Sequence, residues 1–389
     1  MIIVLLFLLL CPVAGLAQLS PQQVLNIRQI SDLRFSPDGR FVALTVTEPV
    51  KGNERDRNIW LLEVSSRKLR QLTFSTKSEH SPKWCPDGRQ LAFLSDRDGQ
   101  TQIYLLPMEG GEALKLTEGK NAVQSFEWSP DGRQIAFLAP EAKSEADEKK
   151  EKDKDDARVI DRDGRHACLW LIALDPKKTR QLTTKKWRVA DAKWLPQGDR
   201  ILVSATDQAE TGEPRDRIYT VSVSDGRMVE IANPGRPFSQ LSVSPDGLNV
   251  SYVAPPKDGP SAHDLFLQAL DGGAARNATG GSIDRPIGPY VWMKDGSLLA
   301  SVSSGFKSRL HKISVDGNEM ALSGWPVNPS VFTAAESGVV VFVGQNATSL
   351  QELWLWDGKG NPEKVSSIQE SWNRISLLQP ELSLYKSFD

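Results

Sequence analysis

The residues in this chain that could do chemistry are few and poorly spaced for it. A hydrolase-type serine nucleophile needs G-x-S-x-G on a strand-to-helix turn, followed later by an acid and a histidine. No such motif occurs in the 389 residues. The two stretches rich in glycine and serine, GGSID (280–284) and SSGFK (303–307), lack the second glycine at the required spacing. Both read as turns between short strands. A metal centre needs histidine, cysteine or carboxylate at paired spacing. His80, His166, His263 and His311 are scattered without it. The stretch DRDG (96–99) is too short for a calcium loop and lacks its terminal glutamate, so it reads as a hairpin turn. The expectation is no catalytic residue, no metal and no cofactor, with the substrate-binding residues left open.

Composition narrows the partners. With 47 basic and 49 acidic residues, the chain offers no electrostatic case for nucleic acid or an anionic membrane surface. Its opening, MIIVLLFLLLCPVAGLAQ, is a short apolar run broken by Pro12, with Gly15 and Ala17 placed as at a cleavage site. Residues 1–17 read as a secretory signal peptide, too short to span a bilayer. The expected mature chain is exported, periplasmic or secreted, without a membrane span. It keeps Cys85 and Cys168. A single disulfide between them is open on sequence grounds, and two separate buried thiols is the preferred reading. The sequons Asn277-Ala278-Thr279 and Asn346-Ala347-Thr348 matter only in a eukaryotic secretory pathway.

The elements that must position any site are written several times over. The turn Ser36-Pro37-Asp38-Gly39 recurs as Cys85-Pro86-Asp87-Gly88 and Ser129-Pro130-Asp131-Gly132. It continues as Leu195-Pro196-Gln197-Gly198, Ser244-Pro245-Asp246-Gly247 and Met293-Lys294-Asp295-Gly296, with a worn copy at Glu336-Ser337-Gly338. A spacing in the forties signals a propeller or solenoid. Each period resolves into four strands joined by Pro, Asp and Gly turns. Strands such as LAFL and IYLL are continuously apolar, as in sheets covered on both faces. The strands that follow the second turn of each period, NIWLLEV, QIYLLP, CLWLIAL, RIYTVSV, DLFLQAL, RLHKISV and ELWLWDG, give the same count as the turns. The fold read is all-β: a seven-bladed β-propeller of four-stranded antiparallel blades over 31–367.

Blade one holds its own four strands, finishing in KLRQLT, and blade seven runs complete to PEKVSS. No strand is left to be shared across the ring closure. A short helix precedes the ring within 18–30, capped by Ser20 with Pro21 in its first turn and Gln23 at the capping-box position. Residues 140–166 are a mixed-charge loop inserted in blade three, read as a solvated segment. Residues 368–389 read as a linker.

The repeat W/F-S-P-D-G-R-x-h-A-F-h-S (h, apolar), followed by I-Y-h-h and x-x-L-T, resembles the TolB-type, WD40-like PD40 propeller repeat. The opening LSPQQVLNIRQISDLRFSPDGRFVALTV is similar to the start of dipeptidyl and acylaminoacyl peptidases of the prolyl oligopeptidase family. So are the charged insertion ending near Asp155 to Val159 and the final SIQESWNRISLLQPELSLYKSFD. In that family the catalytic groups lie on an α/β-hydrolase domain after the propeller, so no catalytic residue carries over to a position here. The resemblance implies a non-catalytic propeller that admits peptides to the active site of an exported serine peptidase, with the hydrolase domain as partner and peptides as substrates. The chain is then expected to stop short of its catalytic domain. The alternative is a stand-alone TolB-like periplasmic propeller that binds proteins or peptides.

Overall fold

The structure is a computed structural model. It describes residues 20–383 apart from 53, 143–148, 150–152, 154–165, 210–214, 258–260, 281–282, 284, 373–374 and 376. The signal peptide read at 1–17, most of the charged insertion and the end of the linker fall outside the described residues.

Among the described residues the strands form seven four-stranded antiparallel sheets, each built from four consecutive strands. Blade 1 covers 29–71, blade 2 79–115, blade 3 125–181, blade 4 188–232, blade 5 239–277, blade 6 287–322 and blade 7 328–364. The expected seven-bladed propeller is what the chain forms. Blades 1 and 7 each hold four strands of their own, so the ring closes without a shared strand. A short helix, Pro21–Leu25, precedes the ring. Ser20 Oγ accepts from the Gln23 amide, and Gln23 Oε1 accepts from the Ser20 amide, completing the capping box. Gln29 already pairs with Thr47 as the first strand begins.

The core explains the unbroken apolar strands. Buried side chains group into seven clusters, and each lies between two neighbouring blades. Successive residues of a strand point to opposite faces. In the strand Phe41–Thr47, Val42, Leu44 and Val46 therefore join the cluster shared with blade 7, while Ala43 joins the one shared with blade 2. Each such aliphatic side chain contributes roughly 1.5–3 kcal/mol when fully buried. A lone blade would leave both faces wet.

The repeat letters each hold something. In the turns, the Ser36, Ser129 and Ser244 hydroxyls donate to the carboxylates of Asp38, Asp131 and Asp246. Those hydroxyl bonds hold the three carboxyls below their usual range. Gly132 sits at φ 70°, and a β-carbon there would lie 2.9 Å from Cys85 Sγ and 3.5 Å from Pro86 Cδ of the preceding blade's turn. Glycine is thus needed for both backbone angle and close approach. At the end of four blades a threonine, that of the repeat's L-T in three of them, is a rivet. Thr73, Thr117, Thr183 and Thr279 accept through Oγ1 from the amides of Ile59, Ile103, Leu169 and Leu265 at 2.9–3.0 Å. In blade 7 Ser366 does the same for Leu353 at 2.7 Å.

Candidate functional site

The first strand of each blade abuts the first strand of the next around the ring, including blade 7 against blade 1. These strands therefore form the inner wall. In six of the seven the pairing register shifts in mid-strand, beginning after Ser31, His80, Val189, Ser239, Ile287 and Pro329. Bulges re-aim side chains and are frequent at binding sites. Three residues at these bulges, Asp32, Ser81 and Gln240, hold φ between 56° and 59° without being glycine. Backbone held in that region persists only where the surroundings fix it.

Just beyond the bulge, at the position two residues before each turn, lie Arg34, Lys83, Glu127, Lys193, Ser242, Val291 and Thr333. Four consecutive blades give charged groups and the next three give uncharged ones. Three of the charged groups meet. Lys83 Nζ and Lys193 Nζ lie 2.7 and 2.8 Å from the same oxygen, Glu127 Oε1. Lys193 also reaches Asp191 Oδ1 at 3.2 Å, and Lys83 donates to the Phe126 carbonyl at 2.6 Å. None is sealed from water: side-chain exposures are 18% for Lys83, 25% for Glu127 and 32% for Lys193.

Burial pushes the Lys83 ammonium down to about 8, with Lys193 and Arg34 adding repulsion against the pull of Glu127. Glu127 is held down at about 2, because the two lysines outweigh a burial cost that acts the other way. Lys193 is held above its usual value, its two carboxylate partners overcoming burial. On the uncharged side the Tyr290 hydroxyl donates to the Gln240 carbonyl and accepts from the Ser251 hydroxyl at 2.9 Å. Its phenol is driven up by burial.

The backbone beneath this layer is fixed by the repeat tryptophan. Trp84 Nε1 donates to the Arg34 carbonyl at 3.1 Å, Trp128 to Lys83 at 3.0 Å and Trp194 to Glu127 at 3.1 Å. In blade 6, Trp292 Nε1 turns instead to Ser251 Oγ at 2.9 Å. Each latch crosses to the blade before. The arrangement can hold, orient and repel charged groups. It lacks a nucleophile paired with a base.

The histidines stay apart. His80 contacts Ser81 Oγ at 3.0 Å, and burial lowers its pKa. His311 lies 3.5 Å from Glu319, and His263 is exposed. Among the described residues no group of three or more His, Cys, Asp or Glu is placed to hold a metal ion. Cys85 and Cys168 are buried free thiols, each pushed up to about 11 by burial. DRDG is a hairpin turn closed by the Gly99 amide on the Asp96 carbonyl at 3.0 Å. SSGFK turns one blade-6 strand into the next, and three residues of GGSID, 281, 282 and 284, lie outside the described residues. The sequon at Asn277 is structural, because its amide donates to Asp264 at 2.6 Å and Thr279 is the blade's rivet. No helix among the described residues is long and apolar enough to cross a membrane.

Sequence reading missed the charged layer, although its signal was present. Aligning the repeats on their turns places four charges in one column. In a single repeat such a residue reads as a solvated strand face; only ring closure makes the column a wall.

Residues 21–164 match the family described as PD40, TolB beta propeller domain. Dipeptidyl-peptidase 5 of Porphyromonas gingivalis is 29% identical over 86 residues, which are 22% of this chain and 13% of that protein. The uncharacterized peptidase YuxL of Bacillus subtilis is 32% identical over 84 residues, 21% of this chain and 12% of its own. The matched stretch is thus a small part of each curated relative. The acylaminoacyl peptidase of Pyrococcus horikoshii superposes with a TM-score of 0.73 at 18% identity, covering 95% of this chain and 57% of that one. The propeller domain of the Trilobed protease from Pyrococcus furiosus, described as having an open velcro topology, gives 0.64 at 19% identity. That match covers 88% of this chain and 98% of that one. At these identities the two solved structures establish the fold alone.

Proposed function

We propose, for a chain that is a PD40 TolB-type propeller related in sequence to dipeptidyl-peptidase 5, that it acts as the non-catalytic substrate gate of an exported serine peptidase. Two observations support the reading. The relatives in sequence are named peptidases, and the 389 residues carry no G-x-S-x-G. The propeller would cover the active site of an α/β-hydrolase domain and admit peptides while excluding folded proteins. Exclusion of that kind is steric. The observation that carries the reading is a ring closed without a shared strand, with a charged inner wall that shows no paired nucleophile and base among the described residues.

The test is the intact mass of the natural polypeptide in its source, detected with an antibody against this propeller. A species far heavier than the 43.0 kDa of this chain, labelled by a serine-reactive phosphonate, is the expected result. A species at or below that mass, unlabelled and with no labelled partner, overturns the reading in favour of a stand-alone peptide-binding propeller.

A further inference from the structure

The three cations of the inner wall carry more hydrogen-bond donors than the protein uses. Lys83 spends one N–H on Glu127 and one on the Phe126 carbonyl, out of three. Lys193 spends one on Glu127 and one on Asp191. Arg34 is an exposed residue whose guanidinium gives Nη1 to the Leu33 carbonyl at 2.7 Å and has no carboxylate partner among the described residues. Arg34 and Lys83 sit on adjacent first strands, at the same register, tied through the Trp84 latch.

The acids nearby are already engaged. Glu127 takes both lysines. Asp191 takes Lys193 and the Ala192 amide at 2.8 Å. Asp32, in the bulge two residues before Arg34, accepts from the Ser81 amide at 3.2 Å and from Ser31 Oγ at 3.3 Å. Across the ring, Ser242, Val291 and Thr333 bring no charge. At this level the wall therefore has three cations to one anion, with free donors confined to one side.

We infer that the inner rim of blades 1, 2 and 4 is a binding site for a peptide carboxylate, taken by the free guanidinium edge of Arg34 and the remaining N–H of Lys83. The inference rests on the gating reading and names a preference within it: acidic peptides, or peptides presenting their C-terminus, are held in the ring. Arginine suits the role because its fork meets both oxygens of a carboxylate. Lys83 adds a pH dependence. The charged groups facing it are Arg34, Glu127 and Lys193, with Asp32, Asp191 and His80 one level away. Its ammonium titrates at about 8, and an added anion favours the charged form. Affinity is therefore full below pH about 8 and falls above it.

The test is calorimetric titration of this chain with three peptides: acetyl-trialanine with a free carboxylate, the same peptide as its amide, and the amide with a central aspartate. Binding of either acid about tenfold or more tighter than the amide is expected, consistent with one charge-assisted bidentate contact. The two acids separate a terminal carboxylate from a side-chain one. Arg34→Gln, at an exposed position, is expected to erase the preference for acid over amide, with thermal unfolding unchanged as the check that the fold is kept. Equal affinity for acid and amide, no binding of any peptide, or a preference that survives Arg34→Gln overturns the inference. So does inorganic phosphate binding as tightly as the acids. Because the chain is titrated alone, these outcomes do not bear on the hydrolase partner, which the phosphonate experiment decides separately.

Discussion

The interface between blades 2 and 3 and the one between blades 7 and 1 do the same job with different residues. Between blades 2 and 3 the repeat supplies the parts. Trp128 reaches back to the Lys83 carbonyl, Gly132 packs on the preceding turn, and Lys83 pairs with Glu127. At the closure the repeat fails on both sides. Blade 1 has Phe35 where the tryptophan stands, and blade 7 has Ala335-Glu336-Ser337-Gly338, without proline, where the turn stands.

What replaces the missing parts lies outside the repeat. Glu352 is buried and accepts from the Ile368 and Gln369 amides at 2.9 and 3.0 Å, and from the Ser366 hydroxyl. Gln369 in turn donates to the Arg28 carbonyl at 2.6 Å. Gln351 Oε1 accepts from the Ile30 amide at 3.2 Å. An apolar cluster from Ile30 and Leu44 to Val343 and Leu353 fills the space behind. Gln369 and Arg28 are 341 residues apart, so closing this contact costs more chain entropy than any neighbouring-blade contact. The difference teaches that blades 2 and 3 are joined by residues the repeat writes, whereas the seam is clasped by residues that occur once.

Glu352→Ala should have the largest effect, because it strands two buried amides. A loss of about 3 kcal/mol is expected, with faster amide exchange confined to the strands Gln29–Phe35 and Val340–Asn346. Uniform acceleration around the ring would mean the seam is no special point. Next, Glu127→Gln removes the carboxylate that two ammonium groups share, leaving Lys83 without a counter-ion and Lys193 with Asp191 alone. It should cost about 2 kcal/mol at neutral pH by denaturant unfolding.

The same residue sets an acid limit. Its folded carboxyl titrates at about 2, below its ordinary 4.5. The stability it contributes is therefore present above pH about 4.5 and lost as pH falls toward 2. The wild-type and Glu127→Gln stability curves should converge over that window. Parallel curves would show that the lysines do not depend on it.

The smallest effect is expected of the latch. Trp128→Phe removes one cross-blade hydrogen bond and should cost about 1 kcal/mol. The converse change, Phe35→Trp, should slow exchange in the strand Gln29–Phe35 by supplying the N–H that the seam lacks. If Trp128→Phe is silent, the tryptophans act by packing alone.

The blade count, the strand order and the unshared closure were legible because turn chemistry is local. Pro, Asp and Gly set the backbone where they stand, and an apolar strand with no polar face must be covered twice. The roles of the L-T threonine and the repeat tryptophan were not legible. Thr117 and Trp128 look like ordinary strand residues until their partners, Ile103 and Lys83, are brought beside them. The Asn277 sequon, which matters as a modification signal only in a eukaryotic secretory pathway, has its side chains committed to Asp264 and Leu265.

The sequence by itself determined seven four-stranded blades, the helix cap at Ser20 and the need to cover both faces of each apolar strand. Periodicity and turn residues act over a few positions and need no distant contact. Only the tertiary structure decided which charges share the inner wall and how the ring is clasped. Both depend on residues from different blades meeting at one radius, as Lys83, Glu127 and Lys193 do on one oxygen. Closing the ring sets that distance, and no single repeat contains it.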